Sequence, residues 1–468
     1  MKVAETTWKF IVDQVQPEEA FAVGLTAYTR GNVEVAEKAL RKAEMFSPPQ
    51  VAPMASFILG LLLREQGDLA GAEGAFRRAS QSNHPDAAPL AVRDLGLLLS
   101  KRGDNAGAEA AFQRALASNH PEAAPKAAVN LGLLLQEQGN LAGAEALFRR
   151  ASASGHPDAS PKAANNLGLL LRERNDDAGA EMAFRQASNS GHPVVAAKAA
   201  NSLGRLLEKR DNYADARTAY RQAINSGDPE AAAYGARNLA RLLKKQGDYA
   251  SADAMLRRVM ELGHPNVAPW AANDLGWLLR EQGDLSAAET AYQRAIDSGN
   301  PEVVAKASLS VGWLRQERGD YEGAAAAYQH ALDSGYSDAM AEASLYLGRL
   351  AQQRGANAEA EAAYRQAMDS GHPWIVPKAA AALGQLLYNR GDIAGAEAAY
   401  QQALDLGDPE FASTAAYNLG VLRQERGDYG GAEAAFRQAM ALGQPNIEQE
   451  AARALSFLSH TRSNDGET

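Results

Sequence analysis

Six histidines of this chain share one repeated sequence position, which makes them the first candidates for metal binding or proton transfer. They are His84, His120, His156, His192, His264 and His372. Neutral imidazole is a common zinc ligand, and zinc requires its ligands at about 2.0–2.1 Å. Neighbouring copies are separated by 36 residues or a multiple of 36, which is enough chain for a pair of helices. We therefore predict that they are loop residues and do not share a zinc ion.

The other residue types that perform catalysis give no recognisable site. The chain contains no cysteine, which excludes thiolate nucleophiles, disulfides and thiolate metal sites. No HExxH, GxSxG, GxxxxGK[ST] or GxGxxG motif occurs in it. Glutamates recur at 73, 109, 145 and 181, so a paired-carboxylate site would have to exist in every repeat. We predict no catalytic residue, no metal and no cofactor, and a protein that is not an enzyme.

These positions recur because the whole chain is built from a repeat of 36 residues. A Leu-Gly pair, or a close relative of it, marks one register of every repeat. The second residue of that pair is Gly24, Gly60, Gly96, Gly132, Gly168, Gly204, Ala240, Gly276, Gly312, Gly348, Gly384 and Gly420. A fixed period of this size indicates a stack of identical supersecondary units. The sequence predicts twelve of them.

Each unit carries the signals of two helices joined by short turns. In one unit, residues 161–174 and 178–188 carry apolar residues at helical spacing. Gly-Asp pairs such as Gly67-Asp68 separate the two helices, because glycine ends the first helix and the acid caps the second. Ser-Gly-His-Pro follows the second helix, and proline prevents its continuation. The pattern predicts antiparallel helix pairs, which must stack because short helices are marginal alone.

This pattern resembles the tetratricopeptide repeat family. The residues that carry the resemblance in one unit are Leu167, Gly168 and Leu171 in the first helix and Ala180, Phe184 and Ala187 in the second. The chain departs from the family in having 36 residues in each repeat instead of 34. The resemblance covers about residues 17–446 and implies an all-α fold, a right-handed superhelical α-solenoid of about twelve helix-turn-helix repeats. It further implies a C-terminal capping helix at 447–460, followed by a disordered tail at 461–468.

In this family the exposed face of the first helices lines a concave groove, so we expect the variable residues of that face to bind a partner. The predicted partner-binding residues are Lys162, Asn166, Lys198, Asn201, Arg205, Arg237, Asn238, Arg241, Trp270, Asn273, Trp277 and Trp313. Lysine and arginine suit carboxylates, and asparagine suits a peptide backbone. Tryptophan with arginine is typical of interface hot spots. We expect a protein or peptide partner with acidic character; polar solvation of a wide groove is the alternative interpretation.

The first two repeats present an apolar surface at the same register. Its residues are Phe21, Leu25, Tyr28, Phe57 and Leu61. An exposed apolar cluster of this kind marks a surface that something covers. Two candidates are residues 1–16 of the same chain, as an N-terminal cap or groove-occupying segment, and a second protomer in a homodimer.

Composition narrows the function without naming it. The 468 residues are 46% hydrophobic and 22% charged, with a formal net charge of -10. That composition is typical of a globular protein, and the negative charge argues against nucleic acid and anionic membranes as partners. The sequence has no apolar run of membrane-spanning length, and its lack of cysteine favours a cytoplasmic location. We predict a protein-interaction scaffold or adaptor; the alternatives are a regulator whose superhelix changes pitch on binding a signal peptide, and an RNA-binding helical repeat.

Overall fold

The computed structural model describes residues 15–465, in which every regular element is an α-helix and no strand occurs. The prediction of an all-helical fold is confirmed. The helices fall into two compact units, and the boundary between Leu242 and Leu243 lies inside one helix.

The N-terminal unit contains α1 to α12 and most of α13. The helices are α1 Pro17–Thr29, α2 Val33–Phe46, α3 Ala52–Glu65, α4 Leu69–Ser80, α5 Ala87–Lys101, α6 Asn105–Ala117, α7 Ala123–Glu137, α8 Leu141–Ser152, α9 Ala159–Glu173, α10 Asp177–Ser188, α11 Pro193–Lys209, α12 Tyr213–Ile224 and α13 Pro229–Lys245. Odd-numbered helices are the first helices of their pairs. From α1 to α12 each helix packs on the next one in the chain.

The C-terminal unit contains the remaining helices. They are α14 Tyr249–Leu262, α15 Ala268–Glu281, α16 Leu285–Ile296, α17 Pro301–Glu317, α18 Tyr321–Leu332, α19 Ser337–Gln353, α20 Asn357–Asp369, α21 Val376–Asn389, α22 Ile393–Asp405, α23 Pro409–Glu425, α24 Tyr429–Ala441 and α25 Pro445–Asp465. The last helix packs on α24. It begins before the predicted start at residue 447 and continues past the predicted end at residue 460, so residues 461–465 are helical where the sequence predicted a disordered tail.

The turn between the helices of a pair has the predicted chemistry. Gly67 has a φ of 84°, in the left-handed region, and ends α3. The Oδ1 of Asp68 accepts a hydrogen bond from the N–H of Gly71 at 2.8 Å and so caps α4. Asn175 and Asp211 occupy the glycine register of their own repeats with φ of 61° and 57°, a conformation that asparagine and aspartate tolerate better than other side chains.

In ten of the described helix pairs, the core forms where a glycine of the first helix meets a ring of the second. The ten rings are fully buried or nearly so: Phe76, Phe112, Phe148, Phe184, Tyr220, Tyr292, Tyr328, Tyr364, Tyr400 and Phe436. A Cβ built on Gly168 would lie 2.6 Å from the ring of Phe184. The glycine therefore lets the two helices of a pair approach closely, which leaves the opposite face of the first helix to solvent.

Most of the predicted N-terminal segment lies outside the described residues. Residues 1–14 are not described, and residue Val15 is partly buried against the core of the first helices. Whether residues 1–16 cap or occupy a groove stays a prediction. No helix within residues 15–465 is both long and apolar enough to cross a membrane.

Candidate functional site

The lysines of the predicted binding face are exposed but already paired with acids of this chain. The Nζ of Lys162 lies 2.6 Å from a carboxylate oxygen of Asp158, the residue that immediately precedes α9. The Nζ of Lys198 lies 3.3 Å from the carboxylate of Glu230 on α13. Exposed pairs of this kind contribute little stability, but they reduce the positive potential that the lysines offer to a partner.

Two arginines of the same face are exposed and lack such a partner. Arg205 on α11 and Arg241 on α13 make no hydrogen bond or ion pair with any other residue that the structure describes. Both lie close enough to the phenol of Tyr220 to act on it electrostatically. Burial and a hydrogen bond to Glu208 nevertheless raise the pKa of Tyr220 above its usual value. The two guanidinium groups are therefore available to an anionic ligand.

A cleft of about 260 Å³ on the N-terminal unit brings several of the predicted residues together. It is lined by Lys198, Asn201, Ser202, Arg205, Glu230, Ala231, Tyr234 and Asn238. Of the other predicted residues in this unit, Lys162 on α9 is exposed, and Asn166 on α9 and Arg237 on α13 are partly buried. The cleft offers a guanidinium, an amide and a phenol on one surface, which is chemistry for carboxylates and peptide groups.

Two of the predicted binding asparagines are largely buried between helices. Asn201 is 8% exposed, and its Nδ2 donates to the carbonyl oxygen of Ala231 at 2.8 Å, which ties α11 to α13. Asn273 on α15 is 6% exposed. Because their register lies at the edge between the core and the exposed face, a small side chain there is buried by the next helix pair. Asn201 nevertheless lines the cleft, and the role of both asparagines as partner contacts stays a prediction.

In the C-terminal unit, two of the predicted tryptophans form one cluster with an arginine. The rings of Trp277 and Trp313 lie 5.7 Å apart, and Trp277 meets the buried ring of Tyr292 edge-on at 6.4 Å. The guanidinium carbon of Arg280 lies 3.3 Å from the ring centroid of Trp313. Glu317 binds that guanidinium through two hydrogen bonds of 2.7 and 3.0 Å. Arg280 is therefore already paired within this chain: Glu317 binds its guanidinium group, which stacks on the face of the Trp313 ring.

Trp270 packs in different surroundings within the same unit. It is partly buried against a small apolar cluster that includes Val303 and Ala307. The ammonium of Lys306 lies 5.3 Å from its ring centroid. All three predicted tryptophans are partly buried, so each stabilises the fold as well as presenting an edge to solvent.

The apolar surface predicted near the N-terminus is only partly exposed. Phe57 is 6% exposed and packs 6.2 Å from the ring of Phe76, so its predicted role in covering or self-association is wrong because it belongs to the core. Leu25 is 37% exposed. Phe21, Tyr28 and Leu61 are partly buried. Burial, with a 2.7 Å hydrogen bond to Glu65, raises the pKa of Tyr28 to about 12.

The repeated histidines connect neighbouring loops. The Nδ1 of His156 accepts hydrogen bonds from the N–H groups of Asp158 and Ala159 at 3.1 and 3.0 Å, which caps α9. Its Nε2 lies 2.8 Å from the carboxylate of Glu122, in the loop of the preceding repeat. Since Nδ1 accepts, the proton of the neutral ring is on Nε2, and the ring donates to the carboxylate. His120 bonds Asp86 and His192 bonds Asp158 through Nε2 at 3.1 and 3.3 Å.

We expect His156→Ala to lower the free energy of unfolding by about 2 kcal/mol, because α9 loses its cap and the carboxylate of Glu122 loses the hydrogen bond that the ring donates. His156→Asn should lose about half as much. Asparagine stands in this register at Asn300, where its Oδ1 caps α17, so the cap survives and only the bond to Glu122 is lost. Urea unfolding followed by circular dichroism measures both. An unchanged stability of His156→Asn would show that the bond to Glu122 contributes nothing, and equal losses in the two variants would show that the cap contributes nothing.

Glu122 makes the stability of this loop depend on pH. Hydrogen bonds from Lys126 and His156 lower the pKa of its carboxyl group to about 2. A carboxyl group whose pKa is lowered on folding stabilises the protein above its unfolded pKa of about 4.3. That contribution disappears as the pH falls from about 5 to about 2. Glu122→Gln should therefore flatten the fall in melting temperature over this range; a parallel fall in both proteins would contradict the assignment.

The recurring glutamates of the second helices are likewise structural. Arginines that follow the first helix of the next repeat bind them: Arg210 with Glu181 at 2.7 Å, Arg318 with Glu289 at 2.7 Å and Arg426 with Glu397 at 2.9 Å. Each pair joins two neighbouring repeats. Their spacing of 29 residues is constant along the chain and could have been found from the sequence as a second period of charges.

Comparison with known proteins identifies the repeat. Three family profiles described as "Tetratricopeptide repeat" match the chain. They match at residues 21–88, 93–157, 129–193, 311–373 and 381–447 for one profile, 229–300 for another and 196–226 for the third. Among curated proteins, no sequence matches this chain significantly.

Several solved structures resemble the chain along most of its length. A protective antigen of uropathogenic Escherichia coli with an SLR fold is 20% identical, with 97% of each chain covered and a TM-score of 0.49. Yeast Tom70 is 12% identical, covering 88% of this chain and 96% of its own, at 0.43. A human IFIT1 dimer with PPP-AAAA is 14% identical, covering 92% and 95%, at 0.42. These scores are too low to support an inference about a ligand.

Proposed function

Because this chain belongs to the tetratricopeptide repeat family, whose members typically mediate protein interactions, we propose that it is a scaffold that binds a peptide or protein segment. The segment lies along the exposed face of the first helices, in the predicted groove. The observation that carries the proposal is the presence of Arg205 and Arg241 on that face, exposed and without a partner among the described residues.

Acidic character of the partner follows from these two arginines. A guanidinium binds a carboxylate through two parallel hydrogen bonds, and it keeps its charge at every physiological pH. Lys198 and Asn238 line the same cleft as Arg205. A carboxylate of the partner could replace Glu230 at Lys198, because that pair is exposed and weak. The partner therefore offers carboxylates to α11 and α13.

A second contact of the proposal is the tryptophan cluster of the C-terminal unit. Trp277 and Trp313 are partly exposed and rigidly held by Arg280 and Tyr292. Large aromatic rings that are already fixed lose little entropy when a partner packs on them. We propose that this cluster contacts an apolar side chain of a partner. The proposal further includes a cytoplasmic location, which cell fractionation would test.

Selection from two libraries tests the proposal. The full chain is immobilised at physiological salt and offered displayed 20-residue peptides, and in parallel a pool of single-stranded RNA at low salt. We expect the peptides to be enriched over successive rounds and the RNA to be washed away. Retention of RNA with a steep loss at higher salt, together with no enrichment of any peptide, would overturn the proposal in favour of nucleic acid.

A further inference from the structure

A row of leucines on the N-terminal unit keeps part of its apolar surface exposed to solvent. Helices α3, α5, α7 and α9 each contain three consecutive leucines, and the middle one is buried: Leu62, Leu98, Leu134 and Leu170 are 0–3% exposed. The first leucine of each triplet is partly or fully exposed, and Leu25 stands in the same register of α1. We call Leu25, Leu61, Leu97, Leu133 and Leu169 the leucine row.

The fold tolerates polar residues in this register. The equivalent residues of α11, α13 and α21 are Arg205, Arg241 and Gln385, and those helices form the same kind of pair. Leu133 is 40% exposed and Leu25 is 37% exposed, so neither is a core residue. Consecutive exposed apolar side chains reduce solubility unless they bind something. Leu61 and Leu97 also pack on the core with part of their surface, whereas Leu25 and Leu133 leave enough surface exposed to contact a partner.

The five leucines are neighbours along the unit. Successive first helices touch one another from α1 through α3, α5, α7 and α9 to α11. Packed helices lie about 8–10 Å apart, so the leucine row extends over about 40 Å. An extended chain advances about 3.3 Å per residue and would need about 12 residues to follow it. A short extended peptide segment is therefore long enough to contact all five leucines.

The arginines beside the leucine row are paired with an acid, whereas those at one end of the row are not paired with any residue that the structure describes. Asp94 is 2% exposed and binds Arg93 at 2.8 Å and Arg64 at 3.5 Å, which offsets part of the positive charge of α3 and α5. The register of the row then continues into Arg205 and Arg241, which have no such acid. A ligand that follows the row passes from an apolar surface to one with two unpaired guanidinium groups.

We propose that the N-terminal unit binds a protein segment with two blocks, an apolar block on the leucine row and an acidic block at Arg205 and Arg241. This inference rests on the proposed scaffold function and specifies the ligand of the same surface. Leucine or aromatic side chains of the segment pack on the exposed leucines, and its Asp or Glu carboxylates pair with the two guanidinium groups.

The test uses the peptides that the full chain enriches from the 20-residue library. We expect enriched sequences to carry a run of apolar residues next to a run of Asp or Glu. Leu97→Asn with Leu133→Asn should weaken their binding at least about tenfold and keep the acidic preference. Arg205→Glu with Arg241→Glu should remove the acidic preference and keep the apolar one. Met182→Asn is the matched control, because Met182 is 70% exposed on α10 and should leave binding unchanged.

The outcomes separate this inference from the function on which it rests. If no peptide is enriched, segment binding itself is wrong. If enriched peptides lack the two blocks, or if the leucine and arginine variants bind them as the parent does, segment binding stands and the two-block ligand is wrong. Peptide enrichment that occurs only after deletion of residues 2–14 would assign the leucine row to the chain's own N-terminus in the intact protein. A dimer in light scattering that Leu133→Asn converts to monomer would assign it to a second copy; either result overturns the external partner.

Discussion

Gly276→Ala is expected to lower the free energy of unfolding of this protein by about 2 kcal/mol, although alanine is the better helix former. A Cβ on Gly276 would lie 2.4 Å from the ring of Tyr292, which is fully buried and held edge-on by Trp277. Overpacking a core by one methyl group costs up to about 3 kcal/mol, and alanine returns about 1 kcal/mol of helix propensity. Urea unfolding with the equilibrium m value fixes the net loss.

The chain itself supplies the control for this variant. In sequence register, Ala240 takes the place of the glycine in one repeat, and the residue 16 positions later is Leu256 instead of an aromatic. We therefore expect Gly276→Ala to leave the free energy of unfolding unchanged or to raise it when it is introduced into the Tyr292→Leu variant. The double-mutant cycle isolates the clash from the loss of the ring. If Gly276→Ala alone is as stable as the parent, the close approach of the two helices does not require glycine at this position.

The largest expected effect on function follows from reversing both unpaired arginines. Arg205→Glu with Arg241→Glu should weaken binding of an enriched acidic peptide by about 100-fold or more at physiological salt. Each change removes a charge-assisted pair and places a like charge beside the partner's carboxylates. Because the side chains are exposed and unpaired, the free energy of unfolding should change by less than about 0.5 kcal/mol. Fluorescence anisotropy with a labelled peptide measures the affinity.

A matched charge control distinguishes a site from an overall field. Arg221→Glu with Arg258→Glu changes the net charge equally, at exposed arginines of the second helices α12 and α14. We expect this variant to bind the peptide within about threefold of the parent, because charges separated by more than about 8 Å are screened at physiological salt. An equal loss in both variants would mean that net charge, and not the face of the first helices, governs binding.

The fold was predictable because its information is periodic. The glycine register and the Gly-Asp turns of units such as 161–188 specify helix pairs without any knowledge of tertiary contacts. The structure places the two helices of that unit at Ala159–Glu173 and Asp177–Ser188. Helix ends depend on a few hydrogen bonds, so α25 extends beyond its predicted limits. The repeat therefore defines the elements and leaves their last turns to local packing.

The candidate site was less predictable, because helical register indicates which face of a helix a residue lies on but not how deeply its side chain is buried. Arg205 is exposed as its register suggests, whereas Asn201, one turn earlier, is buried by the following helix pair. The leucine row was missed for the opposite reason. Leucine is normally a core residue, so the sequence alone suggests that Leu97 and Leu133 are buried. The structure shows that the buried residue is the next leucine in each triplet. Comparing the same register between repeats reveals them.

Site-specific photocrosslinking tests the central claim most directly, since it reports which surface a partner touches in the intact protein. A photoreactive phenylalanine analogue is placed at Leu133 on the leucine row, at Arg205 on α11, or at Met182 on α10. We predict that the first two positions crosslink to protein in cell extract, with the crosslinked segments rich in apolar and acidic residues, and that Met182 crosslinks to little. Crosslinking at Met182 with none at Leu133 or Arg205 would contradict the assignment of the binding face.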